Sequence, residues 1–64
     1  MELGWTLDEV MTYIRTLDYV DEREAARAFD WIVTARPGHS HQVGSPGQAV
    51  VITCVRDRFD IRFA

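Results

Sequence analysis

The chain has 64 residues, a formal net charge of −3 and a single cysteine, Cys54. That length supports one domain over residues 1–64, with a small core that buries only about 60% of the surface the unfolded chain exposes. An intrachain disulfide is excluded, overall acidity counts against broad nucleic-acid affinity, and no apolar run approaches the ~18 residues of a membrane span.

From Met1 to Trp5 there is neither a basic nor an apolar leader region, so no signal peptide is expected. With a lone thiol, this predicts a reducing, cytoplasmic setting. Residues 1–32 hold eight carboxylates against three arginines, a net of −5, while residues 33–64 hold four arginines against two aspartates, a net of +2. All seven cations are arginine, the better cation for forked contacts with carboxylates and phosphates.

The first helix is announced by Thr6 as N-cap and Glu9 three residues on, a capping box, with Trp5 and Val10 placed as a hydrophobic staple. Leu7, Val10, Met11, Ile14 and Leu17 recur at three- and four-residue spacing and predict a helix over 7–17. Asp21 and Glu24 repeat the box signal. The second helix then presents Ala25, Ala28, Phe29, Ile32 and Val33 on one face and stops near Ala35, before Pro37-Gly38. Two helices across a short link read as a helical hairpin.

Residues 37–47 hold both prolines, both histidines and three of the four glycines, and predict a mobile loop. A short strand around 41–43 would complete a three-stranded sheet. Residues 49–55 form a strand apolar on both faces, while 59–63 alternate Phe59, Ile61 and Phe63 with charged residues. An even-numbered turn at Arg56-Asp57 pairs Cys54 with Phe59, Ile52 with Ile61 and Val50 with Phe63; a three-residue loop would expose those and bury Val51, Thr53 and Val55. The fold class is therefore α+β: a helical hairpin followed by a small antiparallel sheet, either a β-hairpin or three strands. The expected core is Trp5, Leu7, Val10, Ile14, Leu17, Phe29, Ile32, Val50, Ile52, Phe59, Ile61 and Phe63.

Chemistry is sparse. His39, Ser40 and His41 are the loop candidates, because residues i and i+2 of an extended segment converge on one side. Solvated loop histidines are the simpler reading, since a zinc site needs further ligands and Cys54, Asp57 and Asp60 lack diagnostic spacing. Ser40, His41 and Asp57 or Asp60 carry none of the signatures of a catalytic serine. No catalytic residue, metal or cofactor is assigned.

Gly38, Ser40 and His41, followed by Pro46-Gly47 and Val51-Ile52-Thr53, resemble a segment of the HicA-type toxins, over roughly 16 of the 64 residues. In that family a Gly-Ser-His-His-like strand leads through a Pro-Gly turn into a Val-Thr-Val-like strand. The resemblance implies a double-stranded-RNA-binding-like fold and ribonuclease activity using a histidine, here His41. Two helices and a hairpin also outline a winged-helix DNA reader, although Glu22, Glu24 and Asp30 would repel phosphates from its second helix.

Arg56, Arg58 and Arg62 mark a charged strand face, and Val51 and Val55 an apolar face that something must cover. These five are the predicted partner-binding residues. The expected function is a non-enzymatic regulator, inhibitor or adaptor that binds a protein, dimerises with itself, and does not enter a membrane. The nucleic-acid module is the alternative.

Overall fold

A computed structural model describes residues 4–63; Met1 to Leu3, read above for a leader, and Ala64 lie outside the described residues. Helices α1 (Leu7–Arg15) and α2 (Glu22–Thr34) precede strands β1 (Ser40–Ser45), β2 (Gln48–Val55) and β3 (Arg58–Phe63). The strands form an antiparallel sheet in the order β1-β2-β3, and both helices pack on one of its faces, α2 over β1 and α1 over β3. The fold is thus α+β, with the helices N-terminal and three strands rather than two.

Each helix starts where its cap directs. In α1 the box closes in both directions: Glu9 N–H donates to the Thr6 hydroxyl at 3.2 Å and Thr6 N–H to the Glu9 carboxylate at 2.8 Å. The helix ends at Arg15, two residues short of the 7–17 expectation. Thr16 takes over as C-cap, its hydroxyl donating to the Tyr13 carbonyl at 2.6 Å, and Leu17 N–H bonds three residues back to Ile14. This tighter i→i+3 turn frees Leu17 to lead into the link to α2. In α2 only half the box forms. Asp21 accepts from Glu24 N–H at 2.8 Å, but the Glu24 side chain leaves its own helix for the N–H of Gly44 at 2.6 Å.

The loop expected over 37–47 is mostly strand. Residues 40–45 pair with 48–53, and Pro46-Gly47 turns between them with Gly47 at φ 91°, the left-handed geometry that a Pro-Gly turn requires. The second hairpin turns at Arg56-Asp57 with Cys54 opposite Phe59, Ile52 opposite Ile61 and Val50 opposite Phe63. Of the two registers weighed, the even-numbered one is formed. It places the β2 residues 50, 52 and 54 under the helices.

Val10, Ile14, Ala28, Ile32, Val43, Val50, Ile52, Cys54 and Phe59 make the buried core, with Leu17, Phe29 and Ile61 packed at its margin. Three residues expected in it are not. Trp5 and Leu7 are each 37% exposed and Phe63 is 86% exposed. Trp5 is drawn away by its backbone, which bridges to Phe59 (N···O 2.7 and 2.9 Å), while its ring lies 5.3 Å from Tyr13. Ala28 and Val43 take their place. The small Ala28 side chain lets α2 come close to β1, and Trp31 then stacks on His41 (5.4 Å, 21°) and meets Phe59 edge-on at 6.2 Å. Val33 is 61% exposed, so the α2 stripe is narrower than its sequence spacing implies.

Candidate partner-binding face

With both helices on one side of the sheet, no helix or strand among the described residues covers its other side. Alternation puts Ser40 and Gln42 of β1, Val51, Thr53 and Val55 of β2, and Arg58, Asp60 and Arg62 of β3 on that open face. Val55 is half exposed, and Val51 is shielded only by its neighbours. A groove of about 690 Å³ runs across these residues, with Val51, Val55, Arg58 and Arg62 in its lining. Four of the five residues predicted from sequence therefore share one surface. Arg56 stands at its end, in the β2–β3 turn.

The electrostatics of this face are local. Arg62 Nε donates to Asp60 Oδ2 at 2.7 Å, and the two side chains are 80% and 44% exposed, so the pair contributes little to stability and leaves Arg62 easily recruited. Arg58 reaches toward the start of α1. There the Thr6 N–H, chiefly, and the Thr6 hydroxyl hold the Glu9 carboxyl below its ordinary 4.5, with Arg58 adding a smaller pull in the same direction. On β1 and β2 the Ser40 and Thr53 hydroxyls share a hydrogen bond at 2.8 Å. The face thus offers two aliphatic side chains between hydroxyls on one flank and guanidinium groups on the other.

The histidine segment is split between surfaces. His39 is exposed in the turn that leads into β1, where Gly38 N–H bonds the Cys54 carbonyl and Cys54 N–H the His39 carbonyl, so two residues oppose one in the manner of a bulge. Ser40 belongs to the open face, and His41, half-buried, belongs to the helix side against Trp31. A hydroxyl and an imidazole on opposite faces of one sheet cannot act on one substrate. Among the described residues no group of three or more His, Cys, Asp or Glu side chains is placed to hold a metal ion. Cys54, 3% exposed in the central strand, is a small core residue whose Sγ lies 3.4 Å from the Arg56 carbonyl. Sequence reasoning missed two features here: the half-buried stack of Trp31 on His41, and the long-range bond from Glu24 to Gly44. Only the i, i+3, i+7 recurrence of Glu24, Arg27 and Trp31 hinted that these residues share a flank.

Among the described residues, no helix is long and apolar enough to cross a membrane. Comparison with known proteins finds no matching family model, no matching curated protein and no matching solved structure.

Proposed function

We propose that this chain is a small non-enzymatic binding module, a regulator, inhibitor or adaptor of the cytoplasm, which recognises a partner protein through the open face of its sheet. One observation carries the reading. Both helices cover the same side, leaving Val51 and Val55 with no element over them among the described residues while Arg58 and Arg62 border them. Apolar side chains ringed by forked cations suit a surface in which acidic side chains surround an apolar centre. The arginine stems add apolar contact area, so the charges and the packing act on the same partner. The nucleic-acid alternative has weaker support, because His41 is stacked under α2 and the exposed positions of that helix include Glu22 and Asp30.

Affinity capture from the source cell tests this, comparing the wild-type chain with Val55→Asp and with Arg58→Ala/Arg62→Ala. The expected result is one protein retained by the wild type and bound at least tenfold more weakly by each variant, a loss of about 1.4 kcal/mol. Equal capture by all three would move the interface off the sheet. Retention of RNA with a steep salt dependence would favour the nucleic-acid module.

A further inference from the structure

β1 is an edge of the sheet, and its backbone phase is fixed at both ends. Cys54 N–H bonds the His39 carbonyl, so His39, His41 and Val43 direct their backbone groups to β2. Ser40, Gln42 and Gly44 therefore direct theirs outward. The Gly44 N–H is taken by Glu24 at 2.6 Å, but among the described residues no hydrogen bond takes the outward groups of Ser40 and Gln42, both exposed. Between Ser40 and Gly44 the edge has no proline, lysine or carboxylate, the usual guards against strand addition. One end of this edge is closed and the other is open.

What lies above the open part restricts what fits. Glu24, Arg27, Trp31 and Thr34 recur at three- and four-residue spacing, so they form one stripe of α2, the stripe that overlies β1 through Glu24 at Gly44 and Trp31 at His41. The Thr34 hydroxyl is bound back to the Asp30 and Trp31 carbonyls, and Glu24 is engaged with Gly44. Arg27 makes no ion pair among the described residues and lines a shallow groove of about 320 Å³ with Arg23, Gly44 and Ser45 and with two carboxylates, Asp21 and Glu24. Of the charges on this stripe, a guanidinium is the one left to be answered. Asp21 caps the helix without pairing with Arg27, and Arg23, one turn before Arg27, adds a second guanidinium to the same groove.

We propose that the outer edge of β1, over residues 40–42, binds an extended peptide segment of a partner protein as an added strand, with an acidic side chain of that segment set against Arg27. The added strand would gain backbone hydrogen bonds at Ser40 and Gln42 and lie under the flank of α2. A second copy of this chain, joined antiparallel with its helices on the same side, does not fit. Paired edges stand ~4.8 Å apart, whereas packed helices need about 8–10 Å between axes, so two β1 edges joined together would drive the two α2 helices into each other. A lone strand without a helix on that side meets no such obstacle. The site uses the outward backbone of Ser40 and Gln42, whereas binding on the open face uses the side chains of Val51, Val55, Arg58 and Arg62, so either can fail without the other.

An end-blocked peptide alternating threonine and glutamate is the probe, with a threonine–lysine peptide as control, titrated into the ¹⁵N-labelled full chain. The glutamate peptide should shift the Ser40 and Gln42 amides and slow their hydrogen exchange, and bind at least tenfold more tightly than the lysine peptide. Gln42→Pro removes only an outward N–H and should weaken binding at least tenfold. Arg27→Glu, on an exposed helix position, should reverse the preference between the two peptides, and it carries the test should the proline variant lose its fold. Shifts centred on Val51, Val55 and Arg62 would overturn the proposal. So would no binding at millimolar peptide, indifference to both variants, or a wild-type dimer that shields the β1 edge.

Discussion

Arg56 offers the sharpest test of the fold, because it predicts a gain in stability where most substitutions cause a loss. It is the one non-glycine residue among those described with a positive φ, 58°. The β2–β3 turn takes left-handed backbone at its first position, as a type II′ hairpin turn does, and an L side chain there costs about 1–2 kcal/mol. Arg56→Gly removes that strain but adds about 0.5–1 kcal/mol of backbone entropy to the unfolded chain. The net expectation is a stabilisation of about 0.5–1 kcal/mol. At about 4–8 °C per kcal/mol for a domain this small, Tm should rise by about 2–8 °C. The Cys54 thiol contact to the Arg56 carbonyl involves backbone and survives the change. Asp57→Gly is the control: its φ is not positive, so it suffers the entropy loss with no relief and should lose about 0.5–1 kcal/mol. Thermal melts by circular dichroism and urea midpoints at unchanged m-value measure both. If Arg56→Gly is as destabilised as Asp57→Gly, turn strain is not what this position stores, and the guanidinium holds the hairpin instead.

Other substitutions test the packing and the caps. Ile52, fully buried between His41 and Ile61 in the central strand, should lose about 2–5 kcal/mol on change to alanine by chemical denaturation, enough to unfold much of a domain this size. Gly44→Ala should cost about 2 kcal/mol or more, since φ is 112° and a Cβ would run into the Gln48 carbonyl and the Tyr19 ring. Gly47→Ala, with open space around it, should cost only about 1 kcal/mol; equal losses would refute the crowding at Gly44. Glu9 has its pKa lowered by the fold, so its contribution is complete above the unfolded-state value and is lost as pH falls through the folded one. The gap in Tm between wild type and Glu9→Gln should therefore narrow as pH drops from about 7 to about 3, below the ordinary glutamate range. Arg58→Ala/Arg62→Ala should leave stability within about 1 kcal/mol, because exposed ion pairs contribute little.

What was legible in the sequence is what is decided within a few residues or by parity. Thr6 and Glu9 announce their cap because both partners lie within one turn, and the pairing of Cys54 with Phe59 follows because a one-residue slip would turn three apolar side chains to water. Asp21 and Glu24 carry the same cap signal, yet Glu24 abandons it for Gly44, twenty residues away, and no local rule weighs a helix cap against an edge of a sheet not yet known to exist. β1 was hard to see for a related reason. Ser40, Gly44 and Ser45 read as loop, and their strand geometry comes from the β2 ladder rather than from their own preferences. Trp5 and Phe63 read as core because they are large and apolar, but burial depends on what stands opposite. At Trp5 the backbone bridges to β3, and the Phe63 end of β3 is left uncovered. For the candidate site, alternation alone separated Arg58 and Arg62 from Phe59 and Ile61. That β2 has an uncovered side required knowing that both helices lie on the other.

The bridge between Trp5 and Phe59 bears on how the chain folds. Both hairpins of the sheet close across two residues and α1 meets α2 through a short link, so each half assembles from near neighbours. The bridge instead joins residues 54 positions apart, and α1 also reaches β3 across most of the chain. Loop-closure entropy grows with the logarithm of such a span, which places these contacts late on the folding coordinate. Substitutions at Trp5 should then speed unfolding and leave the folding rate nearly unchanged, whereas substitutions at Val50 and Ile52 should slow folding itself. Kinetic resistance to unfolding in this domain would rest on the seam that ties the N-terminal helix to the last strand.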